Sequence, residues 1–210
     1  ILGRQEKDSG HEVRRFGEEF LFQELRDHNA EAISASGANR IVTADPHAYN
    51  ALKKDYQGVA PVTHISEVIG QSLSSGNLRL NPLSDDKVFT YHDPCYLGRH
   101  NGLYDIPRMV LDHIPGMNRV EMAQRCRDRS FCCGGGGLSL FYEPIEEQRM
   151  GQMRVKMSAE AGADVIITAC PFCLINIEDA IKTTGLEDSL QVMDLVELVA
   201  RQMDSVSAET

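Results

Sequence analysis

The sequence predicts an α/β fold of two pseudo-symmetric units with parallel sheets, the first truncated at its N-terminal side. Three observations carry this expectation. Segments with helical hydrophobic spacing alternate with short apolar runs along the chain. The run from Val165 to Thr168 is continuously apolar, as a parallel strand buried on both faces should be. Finally, the chain repeats itself. Gly37-Ala38-Asn39-Arg40-Ile41-Val42-Thr43-Ala44-Asp45-Pro46 stands against Gly162-Ala163-Asp164-Val165-Ile166-Ile167-Thr168-Ala169-Cys170-Pro171 at an offset of 125 residues. The same offset carries Asp8 onto Cys133, Gly10 onto Gly135 and Ala48 onto Cys173 without a gap, which points to a duplicated, Rossmann-like unit.

The first unit, residues 1–75, reads as helix Glu18 to Ala35, strand Arg40 to Thr43, helix Pro46 to Tyr56, strand Pro61 to His64 and helix Ser66 to Leu73. The stretch from Ser74 to Asp86 is rich in Ser, Asn, Pro and Asp, so residues 76–86 are expected to form a linker. In the second unit, residues 87–210, Lys87 to His92 alternates like a strand. Ile106 to Ile114 is apolar at helical spacing, with Pro107 near its start, and Arg119 to Met122 reads as a short strand. A long helical pattern covers Leu138 to Ala161 and is stopped by Gly162. Strand Val165 to Thr168 follows, then a helix opened by Pro171, a short strand Gln191 to Met193 and a closing helix Leu195 to Met203. The first unit shows only the later half of this order.

A chain of 210 residues with 42% hydrophobic content can bury a core without disulfides. Thirty-one acidic against 21 basic residues give a formal net charge of −10, the wrong sign for a backbone-phosphate binder. Such an acidic surface suits a basic docking patch on a partner. The apolar runs are strand-sized, far from the ~20 residues of a membrane span. The chain opens at Ile1 with no signal segment, and further parts are expected upstream.

All six cysteines fall in the second unit. Five make the pattern C-x36-C-C-x36-C-x2-C through Cys95, Cys132, Cys133, Cys170 and Cys173, and Cys126 lies outside it as a spare thiol. Adjacent Cys132 and Cys133 suit a disulfide framework poorly. A zinc site needs four ligands, and the two short-spaced pairs can supply them, giving a zinc-stabilised, non-redox interaction module as the alternative. A site with more than four soft sulfurs fits iron–sulfur chemistry best. Cys95 and Cys170 follow predicted strands, at the carboxyl ends where open α/β sheets bind ligands. Gly134 to Gly137 would let the backbone come close and donate to cluster sulfides, with Gly134 and Gly135 expected among the cofactor-binding residues. His64, His92 and His113 read as strand-end or surface histidines.

These residues resemble a known family. His92-Asp93-Pro94-Cys95-Tyr96-Leu97-Gly98-Arg99, Cys132-Cys133-Gly134-Gly135-Gly136 and Cys170-Pro171-Phe172-Cys173 are similar to the cysteine-rich CCG domain of the heterodisulfide reductase B subunit and of the glycolate oxidase iron–sulfur subunit. The resemblance implies two units paired about a pseudo-twofold axis, with a non-cubane 4Fe–4S cluster held by the five cysteines of a complete motif. The wording around Asp45-Pro46-His47 and His100-Asn101-Gly102 resembles longer, membrane-linked iron–sulfur oxidoreductases. In those, ferredoxin-type clusters and a haem-binding membrane segment lie upstream. The implied function is an oxidoreductase module at the cytoplasmic side of the membrane or in the cytoplasm. It would pass electrons between a flavoprotein or another iron–sulfur partner and an acceptor such as quinone or a disulfide.

The first unit departs from that pattern. Lys7, Asp8, Asp45 and Ala48 stand where Cys132, Cys133, Cys170 and Cys173 stand in the second, so one cluster is expected and the first unit reads as scaffold. Asp45, just before Pro46, suits a helix N-cap, and Asp8 suits another. The rival use of this region is a mononuclear metal site made by Asp8, His11, Asp45 and His47.

Overall fold

A computed structural model describes residues 2–141 and 149–203. The first half contains α1 (His11–Phe16), α2 (Glu19–Ala35), β1 (Ile41–Thr43), α3 (Pro46–Lys54), β2 (Val62–His64) and α4 (Ile65–Ser74). The second contains β3 (Val88–Tyr91), α5 (Asp105–Asp112), β4 (Asn118–Val120), α6 (Met150–Glu160), β5 (Val165–Thr168), α7 (Pro171–Thr183), β6 (Gln191–Asp194) and α8 (Leu195–Gln202).

Both sheets are parallel. β1 and β2 pair alone, and the second sheet runs β4-β3-β5-β6. All four residues of β5 are buried, and they alternate between two cores. Val165 and Ile167 join Phe89, Val110, Leu111, Leu195 and Leu198 on one face. Ile166 joins Val155, Ile177 and Ile181 on the other. Helices therefore cover the sheet on both sides, as the unbroken apolar run requires. α4 brings Ile69 and Leu73 into the first of these cores, against α5 and α8.

Strand order reverses between β3 and β5: the chain leaves β3 for β4 on one side and returns to β5 on the other. This is a topological switch point, where the loops leaving the two strands diverge and open a crevice. β3 leads to Cys95 and β5 leads to Cys170, so the sheet delivers two cysteines to the same place.

The pattern read as one helix from Leu138 to Ala161 is corrected in its front part. Leu138 has φ of 64°, which no helix tolerates, and a single 3-10 turn follows at Ser139–Phe141. Residues 142–148 lie outside the described residues, and α6 begins at Met150. The short α1 was not foreseen. It is set between Gly10 and Gly17, both left-handed, and six residues are too few to show a period.

Candidate metal centre

Five thiols converge at the switch point. Cys133 Sγ and Cys173 Sγ are 3.3 Å apart. Cys95 with Cys132, Cys132 with Cys133 and Cys170 with Cys173 stand near enough to shift one another's ionisation, so the five form one line from Cys95 to Cys170. All six cysteines are thiols. Cys133, Cys170 and Cys173 are buried, whereas Cys95 and Cys132 are half-buried, so the line opens to solvent at one end. Cys126 is outside it and half-buried.

The backbone around the line donates to sulfur. Gly134 N–H points at Cys132 Sγ (3.3 Å) and Gly135 N–H at Cys133 Sγ (3.4 Å). Gly134 has φ of 90°, and a Cβ there would stand 2.9 Å from that of Met150. The glycine run is thus needed both for its turn and for its close approach.

Charge in this array is limited by mutual contact. Cys132 is drawn below the usual thiol range by its hydrogen bonds with Cys133 and Cys95 and by the Gly134 amide. Burial opposes ionisation of Cys170, but Cys173 and His47 bring it down. Cys95 and Cys133 are pushed up mainly by their bonds to Cys132, and Cys173 by its bonds to Cys133 and Cys170. Adjacent thiolates repel, so Cys132 and Cys170 are favoured to ionise while Cys95, Cys133 and Cys173 are held as thiols.

His92 was read from sequence as a strand-end or surface histidine, and the structure corrects its surroundings. It is fully buried just past β3, with a nitrogen within 4.8 Å of the Cys133 and Cys173 sulfurs. Arg154 Nε donates to His92 Nδ1 at 2.9 Å. A guanidinium has no acceptor, so the imidazole's proton sits on Nε2. Burial, helped by Arg154, pushes its pKa down to about 3 and keeps the ring neutral. Nε2 has no hydrogen-bond partner among the described residues, which leaves a buried N–H at the sulfur array. Five soft donors, two amides directed at sulfur and one unpartnered N–H fit an anionic, sulfide-containing metal group.

Asp93 ties the cysteine-bearing loops together. It holds Arg108 of α5 through two bonds of 2.6 and 2.9 Å, and its Oδ2 also accepts from Arg127 N–H at 2.7 Å. The segments leading to Cys95 and to Cys132 are therefore fixed to one carboxylate.

Residues 89–178, a stretch that contains all five cysteines of the array, match a family model described as CCG, cysteine-rich domain. The chain carries a CCG cysteine-rich domain. It is 40% identical over 207 residues to a probable iron-sulfur-binding oxidoreductase of Bacillus subtilis (strain 168), covering 97% of this chain and 29% of that protein. It is 35% identical over 213 residues to an EtfAB:quinone oxidoreductase of Syntrophomonas wolfei, covering 97% of this chain and 29% of that protein. To one subunit of the dihydromethanophenazine:CoB–CoM heterodisulfide reductase of Methanosarcina barkeri it is 35% identical over 213 residues, 97% of this chain and 51% of that protein. The chain thus spans about a third to a half of the length of these relatives.

The first half meets the CCG domain at the array itself. Lys7, Asp8, Asp45 and Ala48, the repeat counterparts of four cysteines, line one cavity of about 480 Å³. Asp45 caps α3 by accepting from His47 N–H (2.9 Å) and Ala48 N–H (3.3 Å). Asp8 accepts from Gly10 N–H at 2.7 Å, just ahead of α1. The grouping of Asp8 and Asp45 with His11 and His47 as metal ligands is corrected: backbone amides occupy both aspartates, and the two imidazoles meet Glu12 instead. Glu12 was missed, because an acid on a short helix gives no signal in the sequence. Its Oε2 accepts from the N–H groups of Gly137 (2.5 Å) and Leu138 (3.2 Å) in the CCG domain. His47 stands near enough to Cys170 to lower that thiol's pKa and stacks on Phe172 with ring centroids 4.3 Å apart.

Proposed function

We propose that this chain is the electron-transfer portion of an iron–sulfur oxidoreductase. In this reading Cys95, Cys132, Cys133, Cys170 and Cys173 hold one 4Fe–4S cluster of the non-cubane type. The observation that supports it best is the gathering of five thiols at the switch point, Cys133 and Cys173 in direct contact, one more than a zinc site uses. When bound, such a cluster supplies reversible one-electron chemistry. The chain's own residues position it and set its potential. Gly134 and Gly135 donate to the Cys132 and Cys133 sulfurs, His92 offers Nε2–H, and burial of Cys133, Cys170 and Cys173 excludes water. Solvent reaches only the Cys95 and Cys132 end, which makes that end the natural approach for a redox partner.

The partner in this proposal is a flavoprotein or another iron–sulfur protein, with quinone or a disulfide as acceptor, in keeping with the names of the relatives. No described helix is long and apolar enough to cross a membrane. Any membrane contact is, in this proposal, through parts outside this chain, as in the membrane-linked oxidoreductases that the sequence resembles. Residues 1–75 act as a scaffold unit, 76–86 as linker and 87–210 as the cluster-bearing unit.

Anaerobic reconstitution tests this. After exchangeable metal is chelated away, the chain should keep about four irons and about four acid-labile sulfides. Cys133→Ser or Cys170→Ser should lose most of both. Asp8→Ala and Asp45→Ala should keep them and cost only a cap, about 1 kcal/mol each. A colourless, redox-silent protein with tightly held zinc would establish the interaction-module alternative. Loss of iron from the aspartate variants in step with the cysteine variants would overturn the assignment of sites.

A further inference from the structure

Beside the sulfur array stands a second donor set, of different chemistry. His11 and Glu12 come from α1 and His47 from α3, and all three are buried, 1%, 6% and 3% exposed. One ligand atom from each lies within 4.8 Å of the other two. A single oxygen, Glu12 Oε1, receives both imidazoles: His11 Nδ1 at 2.9 Å and His47 Nδ1 closer still. His11 Nε2 is buried without a partner among the described residues.

We infer that His11, Glu12 and His47 form a mononuclear site for a divalent transition-metal ion, separate from the five sulfurs. Hydrogen bonds alone serve this trio poorly. Neutral His11 leaves an acceptor buried and unpaired, and charged His11 leaves a donor so. Two imidazoles and one carboxylate are instead a donor set that holds Fe²⁺, Mn²⁺, Co²⁺ or Zn²⁺ and leaves coordination positions open.

The surroundings orient the ligands as a metal site requires. The second oxygen of Glu12 is anchored by the Gly137 and Leu138 amides. The His47 ring lies flat on Phe172, at 4°, and meets Tyr96 edge-on at 4.7 Å. His11 packs edge-on against Tyr96 at 4.2 Å. These are rigid aromatic walls, and they come from the CCG domain, whereas the ligands come from the first half. No sulfur need take part, so the site stands or falls independently of the cluster proposal.

The test uses the chain carrying Cys133→Ser and Cys170→Ser, titrated anaerobically with Co²⁺. One Co²⁺ per chain should bind, with d–d absorption but no thiolate-to-metal charge transfer, and should raise the thermal unfolding midpoint. Adding His11→Gln should weaken binding by more than about tenfold. In the unaltered chain, bound Mn²⁺ should show coupling to imidazole nitrogen in pulsed electron paramagnetic resonance, since it prefers oxygen and imidazole to thiolate. That measurement requires no variant to fold. Absence of the nitrogen coupling, or Co²⁺ binding that is indifferent to His11→Gln, would overturn the site.

Discussion

Replacing Asp93 with Asn should destabilise the chain more than any other isosteric change to its surface-remote polar groups. Asp93 and Arg108 are each 3% exposed, and the pair is bidentate at 2.6 and 2.9 Å. The asparagine amide puts an NH₂ where a guanidinium and the Arg127 N–H both need an acceptor, so donors face donors. Breaking one side of a buried pair costs about 3–5 kcal/mol. Glu121 still holds Arg108 through bonds of 2.6 and 2.9 Å, which places the loss at the lower end, about 3 kcal/mol.

The assay is urea unfolding of the reduced, metal-free chain at neutral pH. With a slope of about 1–3 kcal/mol/M, the midpoint should fall by roughly 1–3 M. Glu121→Gln is the control, because it removes the other partner of the same guanidinium. Its side chain is 33% exposed, so its loss should stay within about 1 kcal/mol. Equal effects, or a larger effect at Glu121, would show that the guanidinium is held from the solvent side and refute the argument.

Two further outcomes follow from the same physics. His64 is buried at the start of α4, its Nδ1 accepting from Ser66 N–H, and burial pushes its pKa from 6.5 down to about 4. The unfolded chain therefore binds the extra proton first: stability is full above pH 6.5 and falls by up to about 3 kcal/mol as pH drops towards 4. His64→Gln should flatten that slope in pH-dependent urea unfolding, and an unchanged slope would assign it to other groups. Gly134→Ala should cost about 1–3 kcal/mol through its φ of 90° and the Met150 contact, and should lower the iron retained after reconstitution. Unaltered stability and iron would mean that the loop adapts freely.

What was legible in the sequence was what local pattern encodes. β5 could be read to the residue because a strand covered on both faces has no polar side to blur its ends. The helices α3 and α7 announced themselves through a proline at the first turn. The cysteine spacing mapped onto strand ends, and the fold brings those ends together. Contacts between distant, unpatterned groups were not legible. Glu12 reads as a surface acid until the fold sets it against Gly137, and His92 reads as a strand end until Arg154 fixes its tautomer. The front of the Leu138 to Ala161 pattern was over-read because hydrophobic spacing carries no sign of the positive φ that Leu138 adopts.

The repeat offset explains why a half without cysteines keeps its place. Glu12 and Gly137, which touch, are 125 residues apart, and so are His47 and Phe172, which stack. Each residue thus meets the one that stands 125 positions along, its counterpart in the sequence repeat. The glycine loop stands at this contact between the two halves. Its amides divide between two anions: Gly134 and Gly135 serve sulfur in their own unit, and Gly137 and Leu138 serve the carboxylate of the other. Gly134, Gly137 and Leu138 all hold positive φ, a strained turn that paired anions are well placed to stabilise. Lys7, Asp8, Asp45 and Ala48, which stand at the cysteine positions of the repeat, line a cavity whose walls do not include Glu12 or His47. What the first half supplies at this contact, a carboxylate on the glycine loop and an imidazole beside Cys170, therefore does not depend on the residues that line the cavity.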